Sequence, residues 1–557
     1  MLKRTLSRPQ KYQNLVRASF ASQSKSEYES FVSFPIDKLN ITEADKVTFK
    51  PSKNSGRIDF SDPRVSFKSK SLWELVRGKV VFTTCQIKPL VKNSEKLVKL
   101  SYKILGMNLT NALFKLTFFG HFCAGEDVVS IGGTVKRLEK GGVGSILDYA
   151  AESDVSEDDK KVPESTTVGK VSGRTYDYKD EEVCDGHLEV FITAIKNVKD
   201  VTPTGFAAIK CTALGNPELL KQASSALVEI RKLFHRLDAN NTGFVTREQF
   251  LATFSNKING KDVLEYFNIL DSDNDGRIDY IEWTNGLKLE DLHLLTQHCT
   301  VQGPLFQATL NAQERELLVN MKKRIYKLAD LAQQLGVRLM IDAEHTYFQP
   351  AIDNITIELA RIYNRTGKFP VIFSTYQMYL KDSRHRLLTD LDRARKGNYK
   401  FAAKLVRGAY MVLERQHALE KGLPDPINEN ISVTHDNYNF ALKETITRIA
   451  RGDDIEIMIA SHNQNSVELA VKTMNELKLP PSVGVYFGQL LGMSDHLTFS
   501  LGENGYQAYK YVPYGKVNEV MPYLIRRAQE NSDALSGAAT ELKMTNQEII
   551  RRLTFNS

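Results

Sequence analysis

Between Asp271 and Glu282 the chain places side-chain oxygens at positions 1, 3, 5, 9 and 12 of a twelve-residue loop: Asp271, Asp273, Asp275, Asp279 and Glu282. Gly276 sits at position 6, where the turn is sharpest, and Arg277 at position 7, where a backbone carbonyl serves as ligand. Calcium takes about six to eight oxygens, so carboxylates crowded at this spacing point to a calcium loop. The frame repeats thirty-three residues earlier with Asp238, Asn240, Thr242 and Phe244 at positions 1, 3, 5 and 7. That loop ends in Gln249, whose neutral amide cannot act as a bidentate carboxylate, so one good site and one degenerate site are expected. Elsewhere, Lys210 and Lys404 lie inside apolar runs, where an ammonium is costly unless paired with an acid or bound to an anion. Arg526 and Arg527 are adjacent in a helical stretch beginning near Asn518. Adjacent helical side chains point about 100° apart, so both serve one anion only if it lies between them.

These residues need elements to position them. Eight short apolar, β-branched runs recur, most followed by a helical stretch: GSILDYAAE from Gly144, FAAIKCTALG from Phe206, VRLMIDAEHT from Val337, PVIFSTYQ from Pro370, FAAKLVRGAY from Phe401, IEIMIASHN from Ile455, VGVYFGQLLGM from Val483 and YQAYKYVPYG from Tyr506. Unbroken apolar runs alternating with helices indicate buried parallel strands, and eight of them close a (βα)8 TIM-type barrel of the α/β class. A doubly wound open sheet is the rival, but the sequence offers no glycine-rich phosphate turn after a strand. In a barrel, chemistry sits at the C-terminal ends of the strands. Those ends carry Asp148, Lys210, Asp342 with Glu344, Ser374 with Gln377, Arg407, His462, Gln489 and Tyr511.

The organisation follows. Residues 1–30 read as a mitochondrial presequence: 1–26 hold six Lys or Arg, five serines and no acid. Of the formal +7, six charges belong there, which leaves +1 for the rest and gives no reason to infer nucleic acid. A plain disordered tail is the alternative. Residues 31–140 form an N-terminal helical region, and 141–220 the first part of the barrel, with an acidic loop at 152–185. Between the second and third strands lie about 120 residues where a βα unit needs about 30. The insert, 221–305, is an all-α EF-hand pair: each loop follows an FxxLD signature, and Val245 and Ile278 stand where the two loops form a short ladder. Residues 306–535 complete the barrel and 536–557 form a C-terminal tail. The five cysteines show no CxxC pattern, which fits a reducing compartment.

IKxxAL around Lys210, IDAE around Asp342, LVRGAY, SHN, a GxLLGM-type strand and YLIRRAxEN occur in the order found in proline dehydrogenases, and the chain resembles that family over 144–531, the insert excluded. The resemblance implies FAD at the barrel's C-terminal face and oxidation of L-proline to Δ1-pyrroline-5-carboxylate by hydride transfer to the flavin. Electrons would pass to ubiquinone, with peripheral contact at the matrix face of the inner mitochondrial membrane. By position it assigns Lys210, Arg526 and Arg527 to the substrate carboxylate. Tyr511 and Tyr523 would cover the ring beside Leu490, Ala409 and Tyr410, with Asp342 shaping the site. Ser374, Lys404, Arg407, Gly408, Ser461, His462 and Asn463 would meet the flavin, and Glu530 would pair with an arginine of its own helix. Bacterial members tend to have Arg at the position of Lys404 and Gln at that of Ser374, so the flavin contacts there differ in detail. The rivals are a 4-hydroxyproline dehydrogenase of the same family and a calcium-responsive binding protein on an inactive barrel.

Overall fold

The computed structural model describes residues 58–149, 180–202, 205–254, 263–296, 302–533 and 535–554, all within one compact unit. The expected presequence and most of the acidic loop lie outside the described residues. Each of the eight apolar runs forms a strand: β1 (Val143–Tyr149), β2 (Phe206–Ile209), β5 (Arg338–Ile341), β6 (Ile372–Gln377), β7 (Phe401–Val406), β8 (Ile455–Ala460), β9 (Val485–Leu490) and β10 (Gln507–Tyr514). They pair in parallel in the closed order β1-β10-β9-β8-β7-β6-β5-β2. The remaining pair, β3 (Phe244–Thr246) and β4 (Arg277–Asp279), is antiparallel, with Val245 opposite Ile278.

The barrel is a filled core. Phe206 meets Phe373, Tyr486 and Tyr509 edge-on at 5.2–5.4 Å between ring centres, an arrangement that suits the aromatic quadrupole. Gly144 makes room for this, since a Cβ there would lie 2.4 Å from the Tyr509 ring. At the N-terminal end Arg338 forms a stopper, donating to Glu456 on β8 at 3.2 Å and to the Tyr486 hydroxyl at 3.0 Å. That ion pair closes the bottom and leaves the C-terminal mouth for chemistry.

The surrounding helices start and stop on local signals. Asn311 and Glu314 form a capping box for the helix Ala312–Leu335, and Gly336, at φ 69°, ends it in the left-handed conformation. The helix Pro217–Leu237 packs against Gln349–Tyr363 and leads directly into the loop that begins at Asp238. The expected insert boundary at residue 221 therefore falls inside a helix that the barrel also uses. The insert is tied down further. Trp283 Nε1 donates to the Ile230 carbonyl at 2.9 Å, Arg393 donates to Thr284 at 3.0 Å, and Lys396 pairs with Asp279.

The residues expected as a C-terminal tail form the helix Leu535–Leu553 instead, packed on the N-terminal helix Leu72–Cys85. Arg552 donates to the carbonyls of Phe67 and Lys70 at 2.8 and 2.6 Å, clasping the two ends of the barrel domain together.

Candidate active site

Asp342 follows β5, and its N–H donates to the Ile209 carbonyl of β2 at 2.9 Å, which fixes where its side chain leaves the barrel wall. Its carboxylate is shared. Lys404 Nζ of β7 lies 2.5 Å from one oxygen, and Lys210 Nζ, just beyond β2, lies 3.6 Å from the other. All three side chains are nearly buried, so the two lysines flagged in apolar runs meet at one acid near the mouth. Glu344 is buried as well, accepts from the Thr212 N–H at 3.1 Å and from its hydroxyl at 2.5 Å, and has its acidity weakened by that burial. It acts as a strap between the ends of β2 and β5.

After β7, Arg407 spans to β8. It donates to Ser461 Oγ at 2.6 Å, to Ser466 Oγ at 2.9 Å and to His435 Nδ1 at 3.1 Å, with its guanidinium 4.3 Å above the Tyr438 ring. Each terminal nitrogen keeps a second hydrogen that these bonds do not use. Gly408 follows at φ 139°, and a Cβ there would strike the Tyr379 ring at 2.5 Å. Of the SHN triplet, Ser461 holds Arg407, while Asn463 accepts from the Ser466 N–H at 3.0 Å and caps the helix Gln464–Glu476. His462 Nδ1 lies 3.0 Å from Ser494 Oγ. Burial, then the nearby charges of Lys510 and Arg527, push its pKa down to about 3, so the ring is neutral.

On the helix Met521–Asp533, Arg527 is buried, pairs with Glu530 at 2.6 Å and lies 4.9 Å over the Tyr523 ring. Its Nε and the buried Tyr523 hydroxyl make no hydrogen bond among the described residues. Buried polar groups of this kind ordinarily have a partner, and a bound anion would supply one. Arg526 is half-buried on the same helix. Tyr511 stands opposite Leu490 in the β10–β9 register. Tyr410 is buried against His345, ring centres 4.3 Å apart, while Ala409 and Ser374 keep exposed or half-exposed surface beside it and on β6.

Sequence reasoning missed one group. Lys510 on β10 and Asp495 are 1% and 2% exposed and lie 2.8 Å apart. Lys70 pairs with the same Asp495. Glu541 of the C-terminal helix accepts from the Ser494 N–H at 2.7 Å and the Asp495 N–H at 3.2 Å. Burial, with Asp495 close by, pushes the Glu541 pKa up. Since Ser494 also holds His462, the C-terminal helix reaches the barrel mouth through two residues. Lys510 interrupts an apolar run just as Lys210 and Lys404 do, so the signal was present in the sequence.

The loops at 238–249 and 271–282 are part of the helical layer. Carboxylate oxygens of Asp271, Asp273 and Asp275 lie within 4.8 Å of one another. Asn274 and Gly276 take positive φ, 59° and 83°, as Asn241 and Gly243 do in the first loop, 51° and 86°. Glu282 accepts from the N–H groups of Ser272 and Asp279, and Gln249 from that of Thr246.

A family model described as "Proline dehydrogenase" matches residues 132–540, the whole barrel. The chain belongs to the proline dehydrogenase family. It is 37% identical to "Proline dehydrogenase 1, mitochondrial" of Drosophila melanogaster, over 90% of this chain and 82% of that protein, and 37% identical to the Homo sapiens protein of the same name, over 89% and 90%. "Hydroxyproline dehydrogenase" of Bos taurus is 32% identical over 88% and 92%. Among solved structures, proline utilization A from Bdellovibrio bacteriovorus superposes with a TM-score of 0.50 at 16% identity, over 84% of this chain and 38% of that one, which is a likeness of fold. Membership in the proline dehydrogenase family makes the chain an oxidoreductase, and the expected (βα)8 barrel is the fold observed.

Proposed function

We propose that the chain oxidises L-proline to Δ1-pyrroline-5-carboxylate with FAD bound at the barrel's C-terminal mouth. The observation that carries this reading is the convergence of Lys210, Lys404 and Asp342 at the mouth, together with a buried Arg527 whose Nε still has hydrogen-bond capacity. A carboxylate held by Lys210, Arg526 and Arg527 would be bound by charge-assisted hydrogen bonds, with Glu530 and the Tyr523 ring fixing the Arg527 fork. The unused hydrogens of Arg407, the neutral His462 ring and the open backbone at Gly408 fit a large, partly anionic cofactor. Flavin, when bound, supplies a two-electron acceptor for the hydride from the carbon next to the amine.

The protein's own part is orientation and field. An amine assists hydride loss only when unprotonated. The lysines and the arginine around the mouth disfavour another cation and so lower the pKa of the bound substrate's amine. Tyr511 and Leu490, side by side in the strand register, offer an apolar cover for the ring. The relatives named mitochondrial proline dehydrogenase 1 support a mitochondrial location, and we extend this to ubiquinone as acceptor and peripheral contact at the matrix face of the inner membrane. The three-carboxylate cluster and the positive-φ glycines fit an EF-hand pair with one calcium at 271–282 and a degenerate loop at 238–249.

Purified protein is expected to be yellow, with a flavin band that bleaches anaerobically on addition of proline. A colourless protein, or a flavin indifferent to proline, overturns the proposal. The hydroxyproline dehydrogenases among the relatives favour 4-hydroxyproline as the second reading. Tyr511 at the ring position leaves less space for a hydroxyl, so faster bleaching by hydroxyproline than by proline would reverse this preference.

A further inference from the structure

The helix Ser94–Leu116 is broken at Gly106, where φ is 74° and ψ 167°. Tyr102 donates to Asn111 at 3.0 Å across the break. On a straight helix these two residues would lie on opposite faces about 13 Å apart along the axis, so the halves 94–105 and 107–116 meet at a bend at Gly106. One face does the work of a core: Val98, Tyr102 and Phe114 pack towards the cluster that holds Tyr523 and Met521 of the active-site helix. The opposite face has no such role and is apolar too. Leu97, Leu100 and Ile104 form one exposed stripe at i, i+3, i+7 spacing, and Leu109, Leu113 and Leu116 form another. Exposure peaks at the bend, with Ile104 at 69% and Met107 at 61%.

The charges are distributed with the same regularity. Residues 104–114 contain no charged side chain, although a quarter of the whole sequence is charged. Lys96, Lys99 and Lys103 are exposed and follow the same spacing as the first leucine stripe, rotated by about 100°. From the bend back to Lys99 is about 10 Å of helix, close to the ~5–10 Å to which an interfacial helix sinks between headgroups and acyl chains. No helix among the described residues is long and apolar enough to cross a membrane.

We propose that this bent helix is the membrane-docking surface of the protein: the exposed apolar residues at its bend enter the outer layer of an anionic phospholipid bilayer while the lysine stripe lies against the headgroups. The assignment deepens the membrane contact proposed above and stands on the bent helix alone, independent of the barrel's chemistry. A second copy of the chain is the poorer occupant. Two-fold pairing of this face would bring two lysine stripes together, whereas anionic lipid complements them.

Vesicle flotation tests it with the full chain. The protein is expected to float with vesicles of phosphatidylcholine mixed with phosphatidylglycerol, and far less with phosphatidylcholine alone. The double variant Ile104→Asp with Met107→Asp should lower the bound fraction at least tenfold. The triple variant Lys96→Gln, Lys99→Gln, Lys103→Gln should erase the preference for anionic vesicles. Flavin bleaching by proline should be unchanged in both variants, which shows that they fold and keeps a failure of docking distinct from a failure of the enzymatic reading. Wild-type protein that ignores both vesicles, or a double variant that binds as well as wild type, overturns the proposal. So does a dimer in sedimentation that the same double variant dissociates.

Discussion

Replacing Asp342 by Asn tests the centre of the site directly. The carboxylate lies 2.5 Å from Lys404 Nζ and 3.6 Å from Lys210 Nζ. With an effective dielectric of about 20, those separations correspond to gross attractions of about 6–7 and 4–5 kcal/mol. Removing Asp342 from water offsets much of this. The larger consequence of the substitution is that two nearly buried ammonium groups lose their shared counter-charge, and breaking a buried pair by deleting one partner costs about 3–5 kcal/mol. The amide oxygen of Asn still accepts one hydrogen bond, which puts Asp342→Asn towards the lower end of that range. The loss should be coupled. In Asp342→Asn with Lys404→Met one orphaned cation is gone, so the double variant should be more stable than the sum of the singles by about 1–3 kcal/mol. Urea unfolding of wild type, both single variants and the double variant gives the four midpoints. A cost below about 1 kcal/mol for Asp342→Asn, or strict additivity in the cycle, refutes the shared-carboxylate account.

Arg527→Lys keeps the charge but loses the planar fork that pairs with Glu530 and stacks on Tyr523, so KM for proline should rise about tenfold, equivalent to about 1.4 kcal/mol, with kcat less affected; an unchanged KM in steady-state kinetics would contradict the assigned role. Burial depresses the pKa values of His462 and His121 to about 3 and that of His496 to about 4. Each takes up protons more readily when unfolded, near its ordinary value of about 6.5, so stability should fall as pH drops below about 6.5 towards 4. His462→Gln should flatten that fall in unfolding midpoints measured across the range, and an unaltered slope would show that His462 is not buried as a neutral ring. Glu282→Gln should abolish tight calcium binding in a calorimetric titration, while Gln249→Glu should add a second site; one tight site persisting in Glu282→Gln would place the metal elsewhere.

The barrel was legible because its strands are enclosed on both faces. A run such as FAAIKCTALG needs no alternation to be read as a strand, and its polar end marks the mouth. Lys210 and Lys404 were legible for the same reason, as ammonium groups where only apolar side chains are easily accommodated. That Asp342 serves both could not be read from spacing, since three strands bring them together across nearly 200 residues of chain. The group around Asp495 was hidden differently. Asp495 and Glu541 look like ordinary helical surface acids, and only the docking of Leu535–Leu553 onto the barrel buries them. The kinked helix Ser94–Leu116 was legible as helix but not as a surface, because its apolar residues fit an inward face equally well until packing shows which face is covered.

The closed strand order also sets a schedule for biosynthesis. β1 is joined to β2 through Ile146 and Leu147 only, whereas its whole length pairs with β10, from Val143 opposite Ala508 to Tyr149 opposite Tyr514. A ribosome adding about 5–20 residues per second delivers β10 roughly 20–70 s after β1 has emerged. Throughout that interval a buried-type apolar strand has an open hydrogen-bonding edge, the template on which chains aggregate. An unfinished barrel keeps that edge exposed until its last strand joins, and any fragment that stops short of residue 507 leaves it open permanently.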